Sequence, residues 1–329
     1  MTSEAPTLPN ERLLWARDLT GRIRAEIQKV LVGQEDTVEQ VLTALLAAGH
    51  ILLEGNPGLG KTLLVRALAR AVQGGSARIQ FTPDLMPSDV MGHAVYDPKT
   101  ESFRIRKGPV FTNLLLADEI NRAPAKTQSA LLEVMQEQQV TIEGRSFPAG
   151  APFMVLATQN PLEQEGTYPL PEAQLDRFLL KVAMDFPQET EELDLVRLVT
   201  SGSAGDRLQV EAVAPVATTA DVLELQGATA LVRVDDQVLA YAVRITRATR
   251  AWTGFSVGAS PRGSIALVRA ARGRALLDGR DFATPDDVKA LALPALRHRV
   301  APAPESEIEG TTCDQLLTAM LERVPAPRD

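Results

Sequence analysis

The stretch that decides the fold is Gly55-Asn56-Pro57-Gly58-Leu59-Gly60-Lys61-Thr62, which matches G-x-x-x-x-G-K-[ST] at every position. Ile51-Leu52-Leu53 before it reads as a buried strand, and Leu63, Leu64, Val65, Ala67, Leu68 and Ala71 after it fall at helical spacing. Strand, glycine turn and helix in that order let backbone N–H groups approach an anion, because glycine puts no side chain in the way. The helix N-terminus adds the positive end of its dipole. Gly55, Asn56, Pro57, Gly58, Leu59, Gly60, Lys61, Thr62 and Leu63 are therefore expected to surround the phosphates of a nucleotide. Lys61 would place a charge on the β- and γ-phosphates, and Thr62 a hydroxyl on Mg²⁺. The plain alternative, a chance glycine turn, has to explain both flanks at once.

Downstream, Leu114-Leu115-Leu116-Ala117-Asp118-Glu119 is an apolar strand ending in two adjacent carboxylates. Asp118 is the expected Mg²⁺ holder, usually through water, since Mg²⁺ keeps much of its hydration shell. Glu119 is expected to polarise an attacking water. Acids are common where a strand meets solvent, so this motif counts because of its place behind the glycine loop. Short apolar runs at 51–54, 78–81, 114–118, 153–158 and 178–184 alternate with helical stretches. That alternation predicts an α/β P-loop NTPase core with a mainly parallel sheet. After residue 188 the pattern becomes helical, at 189–200, 219–232, 237–251, 260–277 and 284–299, with a last short helix at 313–323. Thr218 before Val222, and Thr284 followed by Pro285, are helix-start signals. The expected division is a nucleotide-binding core, 1–188, and a small all-α lid, 189–329.

Composition bounds the rest. A chain of 329 residues exceeds one ordinary domain of about 100–200, so two are expected. The net charge is −8, which argues against holding duplex DNA by bulk electrostatics. Charge does not mark the boundary, since 1–188 and 189–329 each carry −4. Cys313 is the single cysteine, so no internal disulfide forms. His50, His93 and His298 lie too far apart in sequence for a local metal spacing. A polar N-terminus, and no apolar run of the roughly 20 residues a span needs, lead to the expectation of a cytoplasmic protein.

The residues around the two motifs go further. Asp118-Glu119-Ile120-Asn121-Arg122-Ala123, Thr158-Gln159-Asn160-Pro161 and Leu170-Pro171-Glu172-Ala173-Gln174-Leu175-Asp176-Arg177-Phe178 resemble the MoxR family of AAA+ ATPases. The resemblance runs from Val32-Gly33-Gln34 to Ser260-Pro261-Arg262, nearly the whole chain. It implies ATP and Mg²⁺ as ligands, with ATP hydrolysis as the reaction. It implies that Asn160 is the sensor-1 amide orienting the lytic water and that Arg177 is an arginine finger acting on a neighbour's nucleotide. Arg262 looks like the sensor-2 arginine, in cis or in trans, and Val32-Gly33-Gln34 is similar to the segment that meets the adenine. Residues 83–109 resemble the helix-2 insert, and 138–150 the hairpin before sensor 1. Related proteins form rings, most often hexamers, and remodel a partner, often a separate protein with a von Willebrand factor A domain. Chaperone-like remodelling or metal insertion is the implied outcome.

Other readings are weaker. Gly254-Phe255-Ser256-Val257-Gly258 matches G-x-S-x-G, but a nucleophile elbow needs a strand before it, and 244–252 reads as helix. Residues 244–274 carry seven arginines and no acid, which reads as a solvated face, as a contact for a neighbour's nucleotide or acidic surface, or, against the net charge of −8, as a nucleic-acid contact. Aromatic residues are only 4% of the chain, so stacking on nucleic acid is not expected. A nucleic-acid motor, a transcription activator and a low-turnover nucleotide switch stand as the alternatives.

Overall fold

The computed structural model describes residues 8–159, 167–200 and 210–327. Helices α1 (Asn10–Gln28) and α2 (Glu35–Leu46) precede strand β1 (Ile51–Gly55) and helix α3 (Lys61–Ala71). Strand β2 (Ser76–Gln80) is followed by the short helix α4 (Pro87–Met91) and an antiparallel hairpin, β3 (Gly92–Asp97) with β4 (Ser102–Lys107). Strand β5 (Leu114–Asp118) leads to α5 (Ala125–Glu137), a second hairpin, β6 (Gln139–Ile142) with β7 (Arg145–Pro148), and β8 (Met154–Gln159). Helix α6 (Glu172–Leu175) and β9 (Leu180–Met184) follow. Beyond them come α7 (Glu189–Thr200), α8 (Thr219–Leu231), α9 (Asp236–Ala251), β10 (Phe255–Val257) and α10 (Pro261–Leu277). The chain continues through α11 (Pro285–Ala290), α12 (Ala292–Leu296), β11 (Ala301–Pro302), α13 (Pro304–Ile308) and α14 (Cys313–Arg323).

The central sheet is parallel, in the order β2-β5-β8-β1-β9. All five expected strands are in it. The apolar runs of the inner strands β5, β8 and β1 are continuous because both faces are covered, so alternate residues serve different cores, whereas the edge strands β2 and β9 alternate. Ile51 and Leu53 of β1 join Leu114, Leu116, Leu156 and Val182 in a core shared with α1, α2, α3 and the C-terminal helices. Leu52 faces the other way, with Leu115, Val155 and Ala157 against Leu131 and Leu132 of α5. The C-terminal helices close on the first core at short range. A Cβ added at Gly273 of α10 would stand 2.6 Å from the Thr43 carbonyl oxygen of α2, so only glycine lets the two helices approach this closely.

One expectation needs correction. The stretch 284–299 is not one helix but two, α11 and α12, broken at Leu291. Pro294 has no N–H to give the carbonyl of Ala290, and its ring collides with that carbonyl, so a continuous helix cannot form. The C-terminal part also contains a small antiparallel pair, β10 with β11. Ser256 of the G-x-S-x-G match lies in that pair, its hydroxyl donating to the Pro302 carbonyl at 2.7 Å, and helix α9 precedes it. It is no nucleophile elbow. The start signals at Thr218 and Thr284 are capping boxes, closed by Asp221 and Asp287.

His50, just before β1, fixes the second core. Its Nδ1 accepts from the Val155 N–H and its Nε2 faces the Met135 carbonyl, both at 3.0 Å. Only the neutral ring protonated at Nε2 satisfies both partners. Burial pushes its pKa from 6.5 down to about 4. A folded-state pKa below the unfolded one means that stability is complete above the unfolded value and drains away as pH falls toward the folded one. Urea unfolding should therefore show a loss of about 2 kcal/mol from His50 between pH 7 and pH 5. A His50→Asn variant should have a shallower pH slope over that interval; an unchanged slope would contradict this role.

Candidate nucleotide site

The carboxyl ends of β1, β5 and β8 converge where parallel α/β sheets commonly bind ligands. Gly58 and Gly60 have φ of +87° and +85°, in the left-handed region that glycine adopts freely. Gly60 caps α3, so that helix begins at Lys61 and Thr62 with its N-terminus turned to the loop. Lys61 Nζ donates to the Gly55 carbonyl at 2.6 Å, which folds the lysine back across its own loop. Burial lowers its pKa, while Asp118, Glu119 and Glu54 pull it back up. A cleft of about 480 Å³ is lined by Pro57, Gly58, Gly60, Lys61, Thr62, Leu63, Arg78, Gln80, Asp118, Glu119 and Thr158. Gly55 ends β1, and Leu59 is buried beneath the loop. A Cβ at Gly60 would stand 2.9 Å from Leu31, so the segment leading to Gly33 runs beside the loop. Gly33 itself lines a neighbouring cleft with Gln34, Asp185 and Glu191.

The two carboxylates are held differently. Asp118 Oδ1 accepts from the Thr158 hydroxyl, and Oδ2 from Arg78 Nη2, both at 2.6 Å. Glu119 has φ +55°, a left-handed backbone unusual for a side-chain-bearing residue and typical of positions held for function. Its N–H donates to the same Thr158 hydroxyl at 2.8 Å. Its carboxylate accepts from Gln80 Nε2 at 2.8 Å and pairs with Arg122 Nε at 2.9 Å. No group of three His, Cys, Asp or Glu able to hold a metal occurs among the described residues. The donor set here, one carboxylate beside one hydroxyl, instead suits Mg²⁺ shared with phosphate and water.

Thr158, Arg78 and Gln80 are absent from the sequence-predicted site. Thr158 follows Ala157, which pairs with Ala117, so the sheet register puts it beside Asp118. Arg78 and Gln80 are alternate polar residues on β2, and Gln80 is the register partner of Asp118. Polar side chains at period 2 at the end of an otherwise apolar sheet strand were the available signal.

Arg177 and Arg262 are not in this cleft. They line a second one of about 360 Å³, together with His50, Gln136, Asp176, Arg269 and Arg299. Arg177 does not pair with Asp176: its Nε donates to Gln136 Oε1 at 3.2 Å, and its Nη1 to the Ala173 carbonyl at 2.9 Å. Arg262 stands exposed in the first turn of α10, after the cap Ser260, with no acidic partner among the described residues. Much of the arginine-rich stretch is structural. Arg250 binds the Ala259 carbonyl, Arg269 those of Ala47 and Ala48, and Arg274 lies near Glu39 and Asp287. Arg244 and Arg247 stay exposed on α9. Asn160 lies outside the described residues.

A glycine loop on β1, paired carboxylates on β5 and a helical C-terminal part together define an AAA+ ATPase. A model of the ATPase family associated with various cellular activities matches residues 50–180, and one of the AAA lid domain matches 247–319. Chaperone MoxR1 of Mycobacterium tuberculosis is 45% identical over 92% of this chain and 81% of its own length. Protein MoxR of Methylorubrum extorquens is 34% identical over 94% and 96%. The crystal structure of a candidate ATPase from Cytophaga hutchinsonii superposes with a TM-score of 0.88 at 41% identity, covering 97% of this chain and 98% of that one. The chain belongs to the MoxR family of AAA+ ATPases. No helix among the described residues is long and apolar enough to cross a membrane.

Proposed function

We propose that this chain binds Mg²⁺ and ATP in the cleft at the ends of β1, β5 and β8, and hydrolyses ATP to ADP and phosphate. The observation that carries the reading is the convergence there of Lys61, Thr62, Asp118, Glu119 and Thr158. The loop N–H groups and Lys61 bind the β- and γ-phosphates. Thr62 and Asp118 hold Mg²⁺, which when bound neutralises phosphate charge. Thr158 fixes the outward direction of Asp118 and the backbone of Glu119 at once. Glu119, anchored by Gln80 and Arg122, accepts the proton of the attacking water. Asn160 is assigned to orient that water, on the strength of the family motif alone.

Arg177 and Arg262 lie in a separate cleft, which supports an active site completed by a neighbouring copy. Such head-to-tail contacts close into rings, here a hexamer by family resemblance. The core, 1–188, and the lid, 189–329, would then move against each other and act on a partner. The inserts at 83–109 and 138–150 would face that partner or the channel. A chaperone-like role follows the name of MoxR1. A partner with a von Willebrand factor A domain, metal insertion as an output and a cytoplasmic setting are part of the same proposal.

The trans geometry has a direct test. Arg177→Ala should lower turnover by roughly 10³-fold, the scale of an arginine finger. Lys61→Ala should also be inactive. In an equal mixture about a quarter of interfaces join an intact phosphate loop to an intact Arg177. Phosphate release should recover to about that fraction. No recovery in a mixture shown to co-assemble would contradict a trans finger.

A further inference from the structure

We propose that Asp176 is a positioning residue that locks Arg177 and Arg262 into one unit, so that both are presented together to a neighbouring subunit's nucleotide. The inference rests on the trans reading above. Asp176 immediately precedes Arg177, yet its carboxylate is turned to the C-terminal helices. Oδ1 accepts from Arg299 Nε at 2.7 Å and Oδ2 from the Ser260 hydroxyl at 2.8 Å. Ser260 is also the cap of α10, its hydroxyl oxygen accepting from the Arg262 N–H at 3.1 Å. One carboxylate therefore joins the residue before Arg177 to the helix start that carries Arg262.

Arg299 completes the lock. Its side chain is 3% exposed, so its charge sits out of water and depends on its partners. Besides Asp176 it donates to the backbone carbonyls of Asp176, Phe178 and Leu179 at 3.2, 2.6 and 3.2 Å, and to that of Ala295. A single planar guanidinium thus ties 176–179 to α12, a geometry that lysine cannot reproduce. His298 adds a bond from Nε2 to the Phe178 carbonyl at 3.1 Å. The buried pair is more than a stabilising contact because of where it lies. It fixes the segment that bears Arg177 against the end of the C-terminal helices, while the other oxygen of the same carboxylate reaches through Ser260 to the helix start that bears Arg262. Losing it would free the two guanidiniums to move independently, and sub-ångström placement of a catalytic group carries large rate effects.

The test measures ATP turnover and ATP affinity for Asp176→Asn, with Arg177→Ala alongside. Asp176→Asn should lower kcat at least about tenfold, with KM and ATP affinity within about twofold of the unaltered chain, because the phosphate loop is untouched. Lys61→Ala subunits should restore turnover in the mixture, as for Arg177→Ala; a merely destabilised subunit would not be restored. Arg299→Lys should show the same split at about threefold. If Asp176→Asn does not fold, as judged by circular dichroism, Arg299→Lys and Ser260→Ala carry the same comparison. Turnover within twofold for these variants would overturn the proposal. So would a loss that Lys61→Ala subunits fail to restore while restoring Arg177→Ala. If Arg177→Ala is not restored, the trans reading falls and this proposal falls with it.

Discussion

Lys61→Ala is expected to lower ATP affinity by roughly 10- to 100-fold. The lysine is the positive side chain of the phosphate loop, and it faces Asp118, Glu119 and Glu54. Truncation removes a charged hydrogen bond to phosphate, worth about 1.5–3 kcal/mol. It also removes one of the positive charges that offset those carboxylates against the polyphosphate, leaving them only Arg78, Arg122 and Lys181. The Gly55 carbonyl loses its donor as well, which loosens the loop itself. Titration calorimetry with ATP and Mg²⁺ measures the effect directly. Affinity unchanged within twofold would remove Lys61 from the phosphate site.

Glu119→Gln is expected to behave in the opposite way. The amide keeps the size of the carboxylate and an oxygen for Gln80 and Arg122, so the segment holds its shape. One negative charge leaves the cleft, so ATP should bind as well or better. Hydrolysis should fall by about 10²- to 10⁴-fold, the usual worth of a positioned general base. Such a variant is a trap: bound, assembled and slow. With a partner present it should hold the complex that the unaltered chain releases.

The parallel core and the phosphate loop were readable because their signals are local. Each buried strand is a short apolar run, and Gly58 and Gly60 announce the turn between strand and helix. Asp118 and Glu119 were found in the same way, as polar residues ending an apolar run. Thr158, Arg78 and Gln80 were missed because their roles depend on strand order. No local pattern says that β8 and β2 flank β5 on either side. The Asp176–Arg299 pair joins residues 123 apart, and only the closing of the C-terminal helices on β9 and α2 brings them together. The break at Leu291 was present in the sequence as Pro294, but apolar periodicity continued across it. Arg177 and Arg262 could be named from their motifs, whereas their shared cleft, apart from Lys61, required the fold.

The central claim is that the cleft containing Lys61, Asp118 and Glu119 turns over ATP. Steady-state phosphate release by the purified chain, with ATP and Mg²⁺, against Glu119→Gln at matched nucleotide occupancy, tests it most directly. Sustained release by the unaltered chain, and a loss of at least about 10²-fold in the variant, is the predicted result. Equal release by both proteins, or none by the unaltered chain when saturated with ATP and assembled, would contradict it.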